Sequence, residues 1–134
     1  YSGTPLVKKL GLKAGMAVLF KNQPSHYFEL LDELPEILQL YEKQEKSADF
    51  IHFFAIDSKT FIAHYNELKK QLKYDGIFWV SWPKKSSKLA TDINENFIRD
   101  YALANGLVDV KVCAVDADWS GLKLMYRLSD RPKI

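Results

Sequence analysis

The stretch LKKQLKYDGIFWVSWP, residues 68–83, decides the fold. Leu68 and Leu72 complete an apolar stripe begun by Phe61 and Tyr65, the spacing of one helix face. Lys69, Lys70 and Lys73 crowd the end of that helix, where the dipole favours cations. Asp75-Gly76 reads as a turn, and Ile77–Trp82 as a buried strand stopped by Pro83. A helix leading directly into an apolar strand is the repeating unit of a parallel α/β sheet.

The flanking sequence repeats this alternation. Upstream, Phe50–Ile56 reads as a strand, and Ser58 as the cap of the helix ending near Lys73. Met16–Phe20 is a further strand, ended by Asn22, Gln23 and Pro24. Ser25 can cap a helix to about Leu34, with Phe28, Leu31 and Leu34 on its apolar face. Ile37–Tyr41 fits either a short strand or one more helical turn, and Glu42–Lys46 is charged and exposed. At the start, Thr4 can cap a short helix over Leu6–Leu10 that Gly11 stops. Downstream, Asp92 and Glu95 have capping-box spacing for a helix over Ile93–Asn105, ended by Gly106. Leu107–Asp116 and Leu122–Ser129 are the last strands, joined by a tight loop in which Gly121 supplies a positive φ.

Composition bounds this reading. The chain has 134 residues, enough for one domain spanning 1–134. Hydrophobic residues are 47% and charged residues 27%, values that exclude a mainly disordered chain. No apolar run approaches a membrane span. Nineteen basic against seventeen acidic residues give +2, too mild a balance to imply nucleic-acid binding. Cys113 is the only cysteine, so no internal disulfide forms, and Tyr1–Leu10 lacks the apolar stretch of a signal peptide. Both features read as a cytoplasmic protein of bacterial type. His26, His52 and His64 lack metal-ligand spacing, so no metal site is expected. Cys113 sits among valines as a buried, inert thiol, and Trp79 lies mid-strand as core.

Two resemblances extend the reading. LKKQLKYDGIFWVSWP resembles the helix, glycine turn and fifth strand of the methyltransferase-type Rossmann-like fold, and GLVDVKVCAVDADWSGLKLMYRL resembles its closing hairpin. That resemblance implies a last strand inserted between its two predecessors. The expected fold is therefore α/β, a three-layer Rossmann-like sheet of four to five mostly parallel strands. It carries a C-terminal antiparallel hairpin and helices on both faces, with the family's middle cut short. In that family a glycine-rich turn follows the first strand and an acid ends the second; both hold the methyl donor. Here Lys21–His26 contains no glycine, and Glu42 is a poor match for the acid. The chain is also shorter than most methyl-donor enzymes, so no cofactor is expected. Secondly, TPLVKKLGLKAG, WPKKSSKLATDINENFIR and GLVDVKVCAVDADWSGLKL together resemble a small bacterial family of unknown function, which supplies no catalytic residue.

In open α/β sheets ligands bind outside the carboxyl ends of the strands. The sequence places Trp82, Lys84, Lys85, Ser86, Thr91 and Asp92 at one such end. The hairpin brings Asp116, Trp119, Ser120 and Lys123 to the same edge if the strand over Leu107–Asp116 runs parallel to that over Ile77–Trp82. Lysine ammoniums, hydroxyls and free amides at a helix start suit an anion. The same residues also suit a solvated basic loop with Asp92 as a helix cap, and Trp119 either stacks on a ligand or folds back over the sheet. Three functions follow from this edge. The favoured one is a non-catalytic module holding an anionic small molecule or a protein partner. The alternative is a small enzyme acting on a phosphorylated or carboxylated substrate, with Lys84 or Lys85 on the anion and Asp92 or Asp116 as acid or base. Nucleic-acid binding is least favoured, and no membrane association is expected.

Overall fold

The structure is a computed structural model that describes residues 4–41 and 44–132. One sheet contains β1 (Ala17–Lys21), β2 (Leu38–Gln39), β3 (Ala48–Phe54), β4 (Leu72–Pro83), β5 (Leu107–Ala114) and β6 (Trp119–Tyr126). The order across it is β2-β1-β3-β4-β6-β5. The first four strands run parallel, while β6 is antiparallel to both β4 and β5. The last strand thus sits between its two predecessors, as the resemblance implied. The sheet has six strands among the described residues rather than four to five, because Ile37–Tyr41 supplies the two-residue β2. Glu42, the poor match for the second-strand acid, lies outside the described residues.

Among the described residues four α-helices cover the sheet: α1 (Leu6–Leu10), α2 (Tyr27–Leu30), α3 (Ser58–Gln71) and α4 (Glu95–Ala104). On one face α3 packs Phe61, Tyr65 and Leu68, and α4 packs Ile98 and Ala102, against Ile51, Phe53, Val80 and Leu122. On the other face Leu10 of α1 and Tyr27 of α2 meet Val18, Phe50, Phe54 and Trp79. The strand period of two sorts β3 between these layers. Trp79 is core, as expected, and its indole N–H donates to the Leu10 carbonyl at 2.8 Å. No described helix is long and apolar enough to cross a membrane.

Several local expectations are corrected. Asp57, not Ser58, caps α3 by accepting from the Thr60 amide. Asn94, not Asp92, caps α4 by accepting from the Phe97 amide. Thr4 makes no cap hydrogen bond, whereas Gly11 closes α1 at φ 82° as expected. The helix after Ser25 is a single turn whose buried pair is Tyr27 and Leu31, leaving Phe28 and Leu34 exposed. Asp75-Gly76 lies inside β4 at a register irregularity with β3. A Cβ at Gly76 would come within 3.0 Å of the Ala48 and Lys73 carbonyl oxygens, so glycine is needed there for close backbone approach. Gly121 lies in β6 and is absent from the positive-φ glycines.

A polar chain runs through the second layer. Tyr27 Oη lies 2.8 Å from His52 Nδ1, and Ser81 Oγ lies 2.7 Å from His52 Nε2. A neutral imidazole satisfies both contacts, accepting at one nitrogen and donating at the other. Burial pushes the His52 pKa from 6.5 down to about 3. The unfolded chain therefore takes up a proton that the folded chain refuses. Stability present above the unfolded pKa is lost as pH falls from 6.5 toward about 3, at about 1.4 kcal/mol per pH unit. Urea melts at about pH 7 and about pH 5 test this, with His52→Gln expected to lose about 2 kcal/mol less than the wild type between them. Equal losses would contradict a neutral buried His52.

Candidate functional site

Strand β4 delivers Trp82 and Pro83 to the carboxyl edge of the sheet. The Lys84 amide then donates to the Asp118 carbonyl at 2.8 Å, fastening this point to the β5–β6 hairpin. A turn follows, with the Ser87 amide donating to the Lys84 carbonyl at 3.0 Å. The Leu89 amide donates to Ser87 Oγ and the Ile93 amide to Thr91 Oγ1, both at 3.1 Å. These local bonds shape the 84–93 segment, whose Ile93 returns to the core. The segment walls a cleft of about 910 Å³ against the start of α4.

Six of the expected residues line the cleft: Trp82, Lys84, Lys85, Thr91, Asp92 and Ser120. Ser120 enters because it pairs with Trp82 across the sheet. Asn94, Glu95 and Asn96 join the lining and were missed; they were read only as helix residues. The two carboxylates are already engaged. Asp92 accepts from the Ser58 amide at 2.8 Å and the Ser58 hydroxyl at 2.5 Å. These bonds, the hydroxyl first, hold Asp92 below the usual carboxylate range. Glu95 pairs with Arg99, which also binds Asp109 at 3.0 Å. Lys84 and Lys85 have no ion-pair partner among the described residues. The cleft therefore presents two ammoniums without an ion-pair partner, together with the Asp92 carboxylate, whose charge the neutral Ser58 does not cancel.

The other four residues lie elsewhere. Ser86 occupies the exposed turn next to the cleft without lining it. Trp119 begins β6 rather than tipping a loop; it is 8% exposed and meets Phe54 edge-on with ring centres 5.0 Å apart. Lys123 pairs with Trp79, well inside β6, which puts it on the face opposite α4. Burial lowers its pKa, and Lys111 and Lys13 lower it further. Asp116 lines a different cavity and pairs with His26 Nε2 at 2.8 Å. Its Oδ1 accepts from the Asp118 and Trp119 amides. Burial pushes the Asp116 pKa up, but the His26 and amide hydrogen bonds outweigh it and the net shift is downward. Cys113 is half-buried rather than fully buried, and burial pushes its thiol pKa up. Among the described residues no cluster of His, Cys, Asp and Glu could hold a metal ion.

The His26–Asp116 contact has a geometric consequence. β1 and β6 stand three places apart in the sheet, roughly 14 Å at strand spacing. The turn after β1 therefore reaches across the carboxyl ends of β3 and β4 to meet the hairpin. Beneath it, Phe20 meets Tyr27 at 5.1 Å, Tyr27 meets Phe54 at 5.3 Å, and Phe54 meets Trp119. The strand order reverses between β1 and β3; these rings fill that crevice on the α1 and α2 face, while Phe20, Lys21, Gln23, Leu40 and Tyr41 border a cavity of about 290 Å³ beside α3.

Neither a family model nor a curated protein sequence matches the chain. By backbone shape it is similar to a SAM dependent methyltransferase from Aquifex aeolicus, with TM-score 0.67 and 15% identity over 91% of this chain and 88% of that one. It is also similar to a Sulfolobus solfataricus protein classed as a type 11 methyltransferase, with TM-score 0.64 and 18% identity over 96% and 93% of the two chains. At such identities the likeness is one of fold, and the fold is methyltransferase-type Rossmann-like. The coverage corrects the length expectation: methyltransferase structures of similar extent exist, so shortness alone does not disfavour methyl transfer. The residues themselves do not fit a methyl-donor cradle. The turn after β1 has no glycine, its Asn22 takes the positive φ, and His26 and the aromatic pile close the crevice.

Trp119→Ala removes a buried ring at the end of this aromatic pile and is expected to cost about 3 kcal/mol in urea denaturation. Lys123→Ala is expected to change stability by about 0.5 kcal/mol or less. Comparable losses in both would contradict the buried placement of Trp119.

Proposed function

We propose that the chain is a binding module for an anionic small molecule, held in the cleft over the carboxyl end of β4. The observation that carries this reading is the charge state of the lining. Asp92 and Glu95 are committed to Ser58 and Arg99, while Lys84 and Lys85 are uncommitted. A ligand carboxylate or phosphate would meet two ammoniums that have no ion-pair partner, with the Asp92 carboxylate turned toward Ser58. The Thr91 hydroxyl and the Asn94 and Asn96 amides offer further polar contacts, and Trp82 gives a partly apolar wall.

A small enzyme acting on such a substrate has less support. Asp92 is bonded to Ser58 and held ionised, and Asp116 lines a second cavity, which Lys84 also borders, where it is paired with His26. A general acid or base needs a free carboxylate within reach of the substrate.

Thermal unfolding with inorganic phosphate, nucleoside phosphates and tricarboxylates tests the reading. At hundredfold excess over Kd a true ligand adds about 2.7 kcal/mol and raises Tm by several degrees. The rise is expected to vanish in the Lys84→Ala/Lys85→Ala double variant, whose unligated Tm should match the wild type. No rise with any anion, or a rise that survives both substitutions, would contradict the reading.

A further inference from the structure

At the opposite edge of the sheet, where β3 and β4 begin, Lys46, Lys69 and Lys70 line a cavity of about 400 Å³ with Asn66, Tyr74 and Tyr126. Lys46 Nζ stands 4.7 Å from the Tyr74 ring centre and 4.9 Å from that of Tyr126. It also donates to the Tyr126 hydroxyl at 2.8 Å. Lys69 Nζ lies 5.8 Å from the Tyr126 ring centre. The Lys46 backbone is left-handed, with φ 53°, a conformation lysine adopts only at a cost. Its ammonium is thus held in place by two rings and a hydrogen bond.

Lysines at a helix C-terminus ordinarily neutralise the last carbonyls. Here those carbonyls have other donors. The Lys69 carbonyl accepts from the Tyr126 hydroxyl at 3.1 Å. The Lys70 and Gln71 carbonyls accept from the Lys46 and Ser47 amides, both at 2.9 Å. Lys73, the neighbouring cation, is paired with Asp49 at 2.9 Å. None of Lys46, Lys69 and Lys70 has an ion-pair partner among the described residues, and no carboxylate lines the cavity. Among the described residues three ammoniums share this space with no carboxylate on its lining, while Lys70 also borders a neighbouring cavity with Glu45 and Glu67.

We propose that this cavity binds a phosphate-bearing small molecule, with inorganic pyrophosphate as the minimal ligand. Lysine meets phosphate as a point charge with three donors, whereas carboxylate recognition favours the planar fork of arginine. No arginine lines the cavity. A pyrophosphate would bridge the ammoniums and relieve their repulsion, with the half-exposed Tyr74 ring as one wall. This site is separate from the cleft and does not depend on it.

Calorimetric titration at low salt tests it in the Lys84→Ala/Lys85→Ala background, which silences the cleft. Inorganic pyrophosphate is expected to bind there, to weaken as salt is added, and to bind more tightly than citrate. Adding Lys46→Met or Lys69→Met should weaken it roughly tenfold, the worth of one charge-assisted hydrogen bond. Circular dichroism confirms that each variant is folded, and Lys69→Met serves alone if Lys46→Met is not. No binding in the cleft-silenced background, binding unchanged by both methionine variants, or tighter binding of citrate would overturn the proposal. If the cleft reading alone fails, wild type and cleft-silenced protein titrate identically.

Discussion

The short helix α2 depends on a buried hydrogen-bonded chain. It is one turn long and has no side-chain cap, so it has little intrinsic stability. Its place is set by Tyr27, which is fully buried and bonded to His52 in β3, which in turn is bonded to Ser81 in β4. An unpartnered polar group at this depth would cost about 1–3 kcal/mol, so the three side chains specify one another. The neighbouring strand makes room. A Cβ at Gly121 would lie 3.2 Å from the Trp79 ring and 3.4 Å from Ser81 Oγ, tight against the same groups.

What the chain fixes at Tyr27 it also imposes on the preceding residue. His26 is carried across the sheet to Asp116, and Trp119 follows from the hairpin to pack on Phe54. The His26–Asp116 pair itself is partly exposed and worth about 1 kcal/mol or less. Its importance is positional: with the aromatic pile beneath, it occupies the crevice where α/β sheets ordinarily take a ligand. The open cleft lies on the α4 side instead, bounded by a loop whose shape comes from its own serine and threonine bonds. The fold is shared with methyltransferase structures, and a shared fold does not by itself carry a shared site.

The sheet was legible because its signals are local. The helix-to-strand passage at 68–83 and the closing hairpin each carry their pattern within a few residues, and both are present, although β4 runs through Asp75-Gly76 and β6 begins earlier, at Trp119. The caps were less legible. Asp57, Ser58, Asp92 and Asn94 are all competent caps, and the choice between them is settled by a tertiary bond from Ser58 to Asp92. The cleft could be read because most of its wall is contiguous, from Trp82 to Asp92. Trp119 takes the second of its two readings, folded back over the sheet, and Lys123 lies away from the cleft because the β4–β6 register, which the sequence does not contain, decides which face each side chain takes. His26–Asp116 joins residues 90 apart and Lys46–Tyr126 residues 80 apart, with no spacing signal for either.

The closed crevice is the claim on which the placement of the ligand site rests. Amide chemical-shift mapping of the isotope-labelled protein during titration with S-adenosylhomocysteine tests it most directly. The account predicts that the amides of Lys21–Tyr27 and of Ala55–Asp57 stay in place even at millimolar ligand. Saturable shifts confined to those two segments would show that the crevice opens to a methyl-donor nucleoside, and would contradict the account.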